Sequence, residues 1–420
     1  VTDAARQRAL RLAGTLSGIA AGAWLGAAEA PTKLVTIGLA PVVVSLVMVI
    51  GVFLGRWSLP ALLHGTAAVR EEQRRLPHLV VWAVLAGALW SVANTLTVYA
   101  IRDIGLSIAF PLWNANSLLG IAWGALFFRE LRGGGARAWG LVLGGAAAML
   151  AGGTVLAVAG AQDSTPQDAV RGVAAALAAG AMWGTMYIPY RKAYVSGMSP
   201  LAFVTFFTIG EVVTMTTLAT WLTGGVGPLL TALDQARPVL VFLLAGGLVW
   251  VVGDLFQQYA AKYVGISRGI PLSNTNQLWG LAWGTLVFGE LAGGGASRGM
   301  VLAGSLAMAG GAALIALAGP GTAEQAEWRR AAGRESARYG LDEAWVQAQL
   351  TGQGAPPVRT RSALDWMIAL GALAVLGWSV TQARAPELAV AVGPAALLIG
   401  ASLALLVAAG GLLWRVTRGQ

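Results

Sequence analysis

The sequence predicts an all-α polytopic membrane protein made of two inverted five-span repeats followed by two further spans, and three observations carry that prediction. Of the 420 residues, 56% are hydrophobic and 11% charged, outside the balance of a soluble domain. Apolar runs of about 20 residues, the length that crosses a bilayer core of about 30 Å, recur along nearly the whole chain. One line is also written twice: PLWNANSLLGIAWGALFFREL from Pro111 returns as PLSNTNQLWGLAWGTLVFGEL from Pro271.

In order, the spans are read at 12–30, 34–55, 79–101, 104–128, 138–160, 170–190, 200–222, 238–261, 264–288, 298–318, 364–382 and 389–414. The first follows Arg6, Arg8 and Arg11 and ends in Ala28-Glu29-Ala30, the layout of a secretory signal. Pro31 directly after the would-be cut, and a counterpart of this run deeper in the chain, favour a retained span instead. Of the 28 Lys and Arg, all but Lys33, Arg102, Arg171, Arg237, Arg298 and Arg384 fall on the side shared by the two termini. The positive-inside rule then places both termini in the cytoplasm, and the net charge of +9 reports orientation rather than a nucleic-acid partner. The chain has no cysteine, and its two histidines, His64 and His78, lie in or beside a loop. Disulfides, thiolate chemistry and cysteine metal sites are excluded, and neither cofactor nor metal is expected.

An offset of 160 aligns Gly105–Ala136 with Gly265–Ala296, with 19 of 32 positions identical. The match extends back through Trp90 and Trp250, with Asn94 facing Asp254, and AAGAWLGAAEAP at 20–31 parallels AAGAMWGTMYIP at 178–189. Residues 1–161 form the first unit and 162–319 the second. Because five is odd, the second unit enters the membrane from the opposite side, the build of secondary transporters that expose one central site alternately.

The frame of a small or polar residue, Gly, Pro, a polar cluster, Gly and a terminal Phe-x-Glu, over roughly residues 12–318, resembles the glucose/ribose porter family of the drug/metabolite transporter superfamily, whose bacterial members are sugar transporters. Ser273 and Gln277 fit that family's frame, while the Asn pairs at 114, 116, 274 and 276 depart from it. The resemblance implies ten spans in a bacterial plasma (inner) membrane, a solute site between the halves, and uptake of sugars or related polyols.

On an unbroken helix Asn116, Gly120, Trp123, Phe127 and Glu130 share one stripe, and Asn276, Gly280, Trp283 and Glu290 another, while Asn114 and Asn274 point about 160 degrees away. Pro111 and Pro271 are candidate helix breaks that would free backbone groups for a site. Amides donate and accept hydrogen bonds, and an indole covers the apolar face of a sugar ring, so the substrate-binding candidates are Asn114, Asn116, Trp123, Asn274, Asn276, Gln277 and Trp283, joined by Asn94, Gln257 and Gln258. The competing account is helix glue and space filling. Asp254 and Glu211, ionisable groups deep in spans, are candidates for a coupling proton or structural acids paired with Lys262 or a buried amide. Glu130 and Glu290, at span ends, are gates or loop anchors. Glu29 with Lys33, and Arg191 with Lys192, read as topology anchors.

Residues 320–362 predict a cytoplasmic amphipathic linker, lying on anionic headgroups or docking a partner, and 363–420 the two additional spans, which either pair with each other or mediate homo-oligomerisation. The leading expectation is a transporter of a small neutral solute, with membrane lipid as its surroundings and proton symport as one form of coupling. The alternatives are a metabolite exporter, a ureide-type permease, or a non-transporting sensor or scaffold. No His-acid cluster or nucleophile motif indicates an enzyme.

Overall fold

A computed structural model describes residues 3–104, 109, 112–114, 116–160, 166–289, 295–319, 321–351, 361–385 and 389–417. Among these the secondary structure is entirely helical. Seven helices are long and apolar enough to cross a membrane, namely Pro41–Leu63, Pro77–Ile104, Gly135–Val155, Pro200–Leu222, Arg237–Val264, Ala363–Gln382 and Val392–Val416, and the protein has the make-up of an all-α membrane protein. Helices suit this setting because every backbone bond is satisfied within the segment.

The elements are α1 (Asp3–Ala28), α2 (Pro41–Leu63), α3 (Thr66–Arg75), α4 (Pro77–Ile104), α5 (Asn116–Phe128), α6 (Gly135–Gly160), α7 (Pro166–Val195), α8 (Pro200–Leu222), α9 (Val226–Gln235), α10 (Leu240–Val264), α11 (Ile266–Ser273), α12 (Asn276–Ala282), α13 (Gly295–Leu317), α14 (Thr322–Tyr339), α15 (Glu343–Leu350), α16 (Ala363–Gln382) and α17 (Val392–Val416). Several starts are written in the sequence. Pro41 opens α2 after an extended Ala40, since proline's missing N–H costs nothing at the first helical position. Ser199 caps α8 through the Ala202 N–H, and Ser362 with Asp365 forms a capping box on α16.

Three predicted spans differ among the described residues, and the one expected at 104–128 has a turn at Asn114 before α5. The one expected at 34–55 runs from Pro41 to Leu63, because Ala30–Ile37 winds into a tighter 3₁₀ turn first. The one expected at 264–288 is broken into α11, α12 and a π-helical turn at Trp283–Val287. The break falls at Asn274–Thr275, while Pro271 sits inside α11. Proline removes its own hydrogen bond from the ladder, and the helix ends two residues later rather than at the ring. Pro111 lies outside the described residues.

At the centre α1 packs along α10 and α7 along α4, α2 and α8 complete the wall against α10 and α4, and α6 pairs with α13. Small residues permit the closest approaches, as expected where lipid offers no hydrophobic drive. A Cβ on Gly51 would overlap the Leu244 carbonyl and one on Gly247 the Met48 carbonyl, and Gly210 and Gly87 meet the carbonyls of Val84 and Phe207 in the same reciprocal way.

The segment after α13 does not lie free. Glu324 of α14 is buried in a two-pronged pair with Arg268 of α11, at 2.7 and 2.8 Å. Trp328 stacks 4.2 Å from the Arg191 guanidinium, and Lys192 pairs with Glu335. α14 docks on α11 through the buried Arg268–Glu324 pair and on α7 through Lys192 and Glu335, and α15 packs against α7 and α14. The final spans also separate, α16 packing on α2 and α10, and α17 on α1 and the π turn.

Candidate functional site

The interruption before Asn276 and the turn at Asn114 bring all four asparagines of the repeated line to one place. Asn114 Nδ2 donates to Asn276 Oδ1 at 3.1 Å, and Asn274 Nδ2 donates to Asn116 Oδ1 at 2.6 Å. Asn274 also reaches the Asn114 carbonyl and Ser117 Oγ, and Asn116 donates to Tyr187 Oη. Each copy's first asparagine meets the other copy's second, which an unbroken helix would not permit.

These amides line a cavity of about 30 Å³ together with Glu29, Gln257, Tyr187 and four tryptophans, Trp90, Trp113, Trp183 and Trp250. Trp90 and Trp250 meet edge-on at 4.7 Å, and Trp113 and Trp183 at 5.8 Å. The space holds a water or two and no sugar. Glu29 Oε2, Trp90 Nε1 and Trp183 Nε1 have no hydrogen-bond partner here. Buried polar atoms are nearly always paired, and this lining leaves a carboxylate oxygen and two indole N–H groups unmatched.

Other sequence candidates fall elsewhere. Trp123 packs on Phe127 outside the cavity, and Trp283 packs with Val287 against Leu398 of α17. The helix is unbroken from Asn276 to this indole, so Trp283 keeps the stripe it was assigned but stands about 10 Å along the axis from Asn276, beyond the cavity. Gln277 is buried with its Oε1 unpartnered, and Asn94 is buried with both amide atoms unpartnered, yet neither lines the cavity. Gln257 lines it and donates to Ser273 Oγ. Glu290 lies outside the described residues.

Asp254 and Glu211 share a partner that sequence reasoning counted only as an orientation marker, Arg56. Its guanidinium is fully buried and donates to Glu211 Oε2 at 2.9 Å and Asp254 Oδ2 at 2.5 Å, between the rings of Phe207 and Trp250. Gln258 donates to Asp254 Oδ1 and accepts from Tyr194 Oη. Two carboxylates thus face one cation. By the repeat offset of 160 the position answering to Asp254 is Asn94, so this acid has no counterpart in the first copy. The buried amide weighed as a partner from the sequence is present as Gln258 on Asp254, and the charged partner of both acids is Arg56.

Glu130 ties two helices together. Its carboxylate accepts from the Ile266 and Ser267 N–H groups at the start of α11, and pairs with Arg191 of α7 at 2.9 Å. An acid at a helix N-terminus is favoured by the dipole. Gly265, at φ +85°, lets the carboxylate approach, since any Cβ there would lie within 3 Å of it. On either side of Glu130, Arg129 and Leu131 hold left-handed backbone, a strain of about 1–3 kcal/mol each.

No family model and no curated protein matches the chain. A solved structure described only as "Crystal structure of protein" is similar over 72% of this chain and 95% of its own, at 18% identity and a TM-score of 0.47, a likeness too distant to bear on fold or function.

Proposed function

We propose that the protein is a secondary transporter of a small neutral solute, a sugar or polyol, working by alternating access across a bacterial inner membrane with both termini inside. The observation that carries the reading is the cavity between the repeated lines, ringed by amides and indoles and left with unpartnered polar atoms. In the closed form the asparagines satisfy one another. A polyhydroxylated solute exchanges those amide–amide bonds for amide–hydroxyl bonds, so polar matching supplies selectivity at modest net energy, while the tryptophans cover its apolar faces.

Reciprocal contacts support the inverted ten-span repeat. The Gly51–Leu244 and Gly247–Met48 approaches of α2 on α10 are repeated by Gly210–Val84 and Gly87–Phe207 for α8 on α4, the pattern expected of two units related by a two-fold axis. Glu130 with Arg191 acts as the gate at the end where α14 docks. Opening releases these bonds and widens the cavity beyond its present volume. The cluster of Arg56, Glu211 and Asp254 has one more acid than cation and is suited to carry a coupling proton, giving symport.

The test is flux into proteoliposomes of labelled hexoses, pentoses and polyols, with and without a proton gradient. Uptake abolished by Asn116→Ala and Asn276→Ala supports the reading, and absence of uptake for every solute counts against it. The amide-rich lining also favours a second reading, a ureide permease, which the same assay distinguishes by substrate.

A further inference from the structure

Away from the central site a much larger cavity, of about 840 Å³, lies among α2, α3, α8, α10, α15 and α17. Its volume is that of sites that enclose small molecules, about 300–1,000 Å³. The walls come from spanning helices: Leu63 of α2, Leu255 and Phe256 of α10, and Leu413 and Trp414 of α17. Leu63 and Trp414 are also 44% and 49% exposed, so the cavity is continuous with the apolar outer face. One end is different, since α3 places Glu71, Glu72 and Arg75 there.

We propose that this cavity is a binding site for one membrane phospholipid with a zwitterionic, amine-bearing headgroup. Its acyl chains lie along α10 and α17, its ammonium meets Glu71, and its phosphate meets Arg75. Both charge signs at one end of an apolar chamber match a headgroup carrying both. Glu71 and Arg75 hold each other at 3.0 Å in a pair about half exposed, an interaction worth little by itself. A zwitterion replaces it with two charge-assisted contacts. Arg75 also stands 5.6 Å from the Trp345 ring of α15, so the bound lipid joins α17 and α15 to the helical core. This assigns a role to the extension and is independent of what the central site carries.

The experiment is native mass spectrometry of the full-length protein, with vesicles of phosphatidylethanolamine, phosphatidylcholine or phosphatidylglycerol offered in turn and detergent washing afterwards. The expected result is one retained phosphatidylethanolamine per chain, favoured about tenfold over the other two, as one charge-assisted hydrogen bond would give. The Glu71→Gln and Arg75→Gln double variant keeps a lipid but loses the preference, and Leu413→Trp, which fills the chamber, loses the lipid. Retention of none, or of all three headgroups equally by the wild type, overturns the proposal, the latter marking bulk lipid in a gap.

Discussion

Arg56 is the residue whose replacement separates a structural from an incidental reading of the buried charges. Arg56→Met keeps an unbranched chain between Phe207 and Trp250 but strands two carboxylates, each within 3 Å of the lost guanidinium. Breaking a buried pair by removing one partner costs about 3–5 kcal/mol, and here one cation serves two acids, so the upper part of that range is expected. Glu211→Gln removes the excess acid and leaves a one-to-one pair of Arg56 with Asp254. Its loss is a single hydrogen bond to a charged group, about 1.5–3 kcal/mol, offset by relief of repulsion between the acids. Equilibrium unfolding in mixed micelles should therefore rank Arg56→Met below Glu211→Gln by at least about 1 kcal/mol. Equal stabilities, or the reverse order, would refute the assignment of Arg56 as the counter-charge of both acids. On the transport reading, Glu211→Gln should also retain solute exchange while losing accumulation driven by a proton gradient.

Four further outcomes follow from the packing and the charges. Gly247→Val and Gly87→Val each drive a side chain into a helix carbonyl and should cost about 1–3 kcal/mol by overpacking, read by thermal unfolding, whereas Gly371→Val, in open space on α16, should be nearly neutral. Arg268→Met should destabilise by about 3–5 kcal/mol by leaving Glu324 buried and alone, and Arg268→Met with Glu324→Leu should recover most of it. Glu72, half-buried on α3, has its carboxyl pushed above the usual range by burial, against the lowering pull of the Ser199 N–H. A raised folded-state value favours the fold below the ordinary carboxylate range and is lost as pH rises through the folded value, so Glu72→Gln should flatten that part of the stability–pH curve. Since the chain lacks cysteine, a single cysteine at Ala5 or Arg338 should react only with a reagent offered from the cytoplasmic side.

The repeated line made the asparagines legible, and the alignment through Trp90 and Trp250 already held two of the four cavity indoles. Depth was not legible. A shared stripe put Trp123 with Asn116 and Trp283 with Asn276, but seven residues of helix separate the members of each pair by about 10 Å along the axis, and nothing in the residue pattern fixes a break at Asn274–Thr275 rather than at Pro271. Arg56, Arg191 and Arg268 were counted as orientation markers because a charge tally records which end of a span a residue occupies, not whether it is buried. The partners that bury them, Glu211 and Asp254, Glu130, and Glu324, lie from 56 to 198 positions away. Glu29 was paired by spacing with Lys33, and its place in the lining of the cavity was not legible.

The central claim, a polar solute held between the two asparagine pairs, is tested most directly by ligand-dependent thermal stabilisation of the purified protein across sugars, polyols, ureides and amino acids, because any molecule that binds the native state raises its stability by mass action. The account predicts stabilisation by a sugar or polyol that disappears in Asn116→Ala and Asn276→Ala while Trp123→Phe, outside the cavity, retains it. Stabilisation that survives both asparagine substitutions would contradict it.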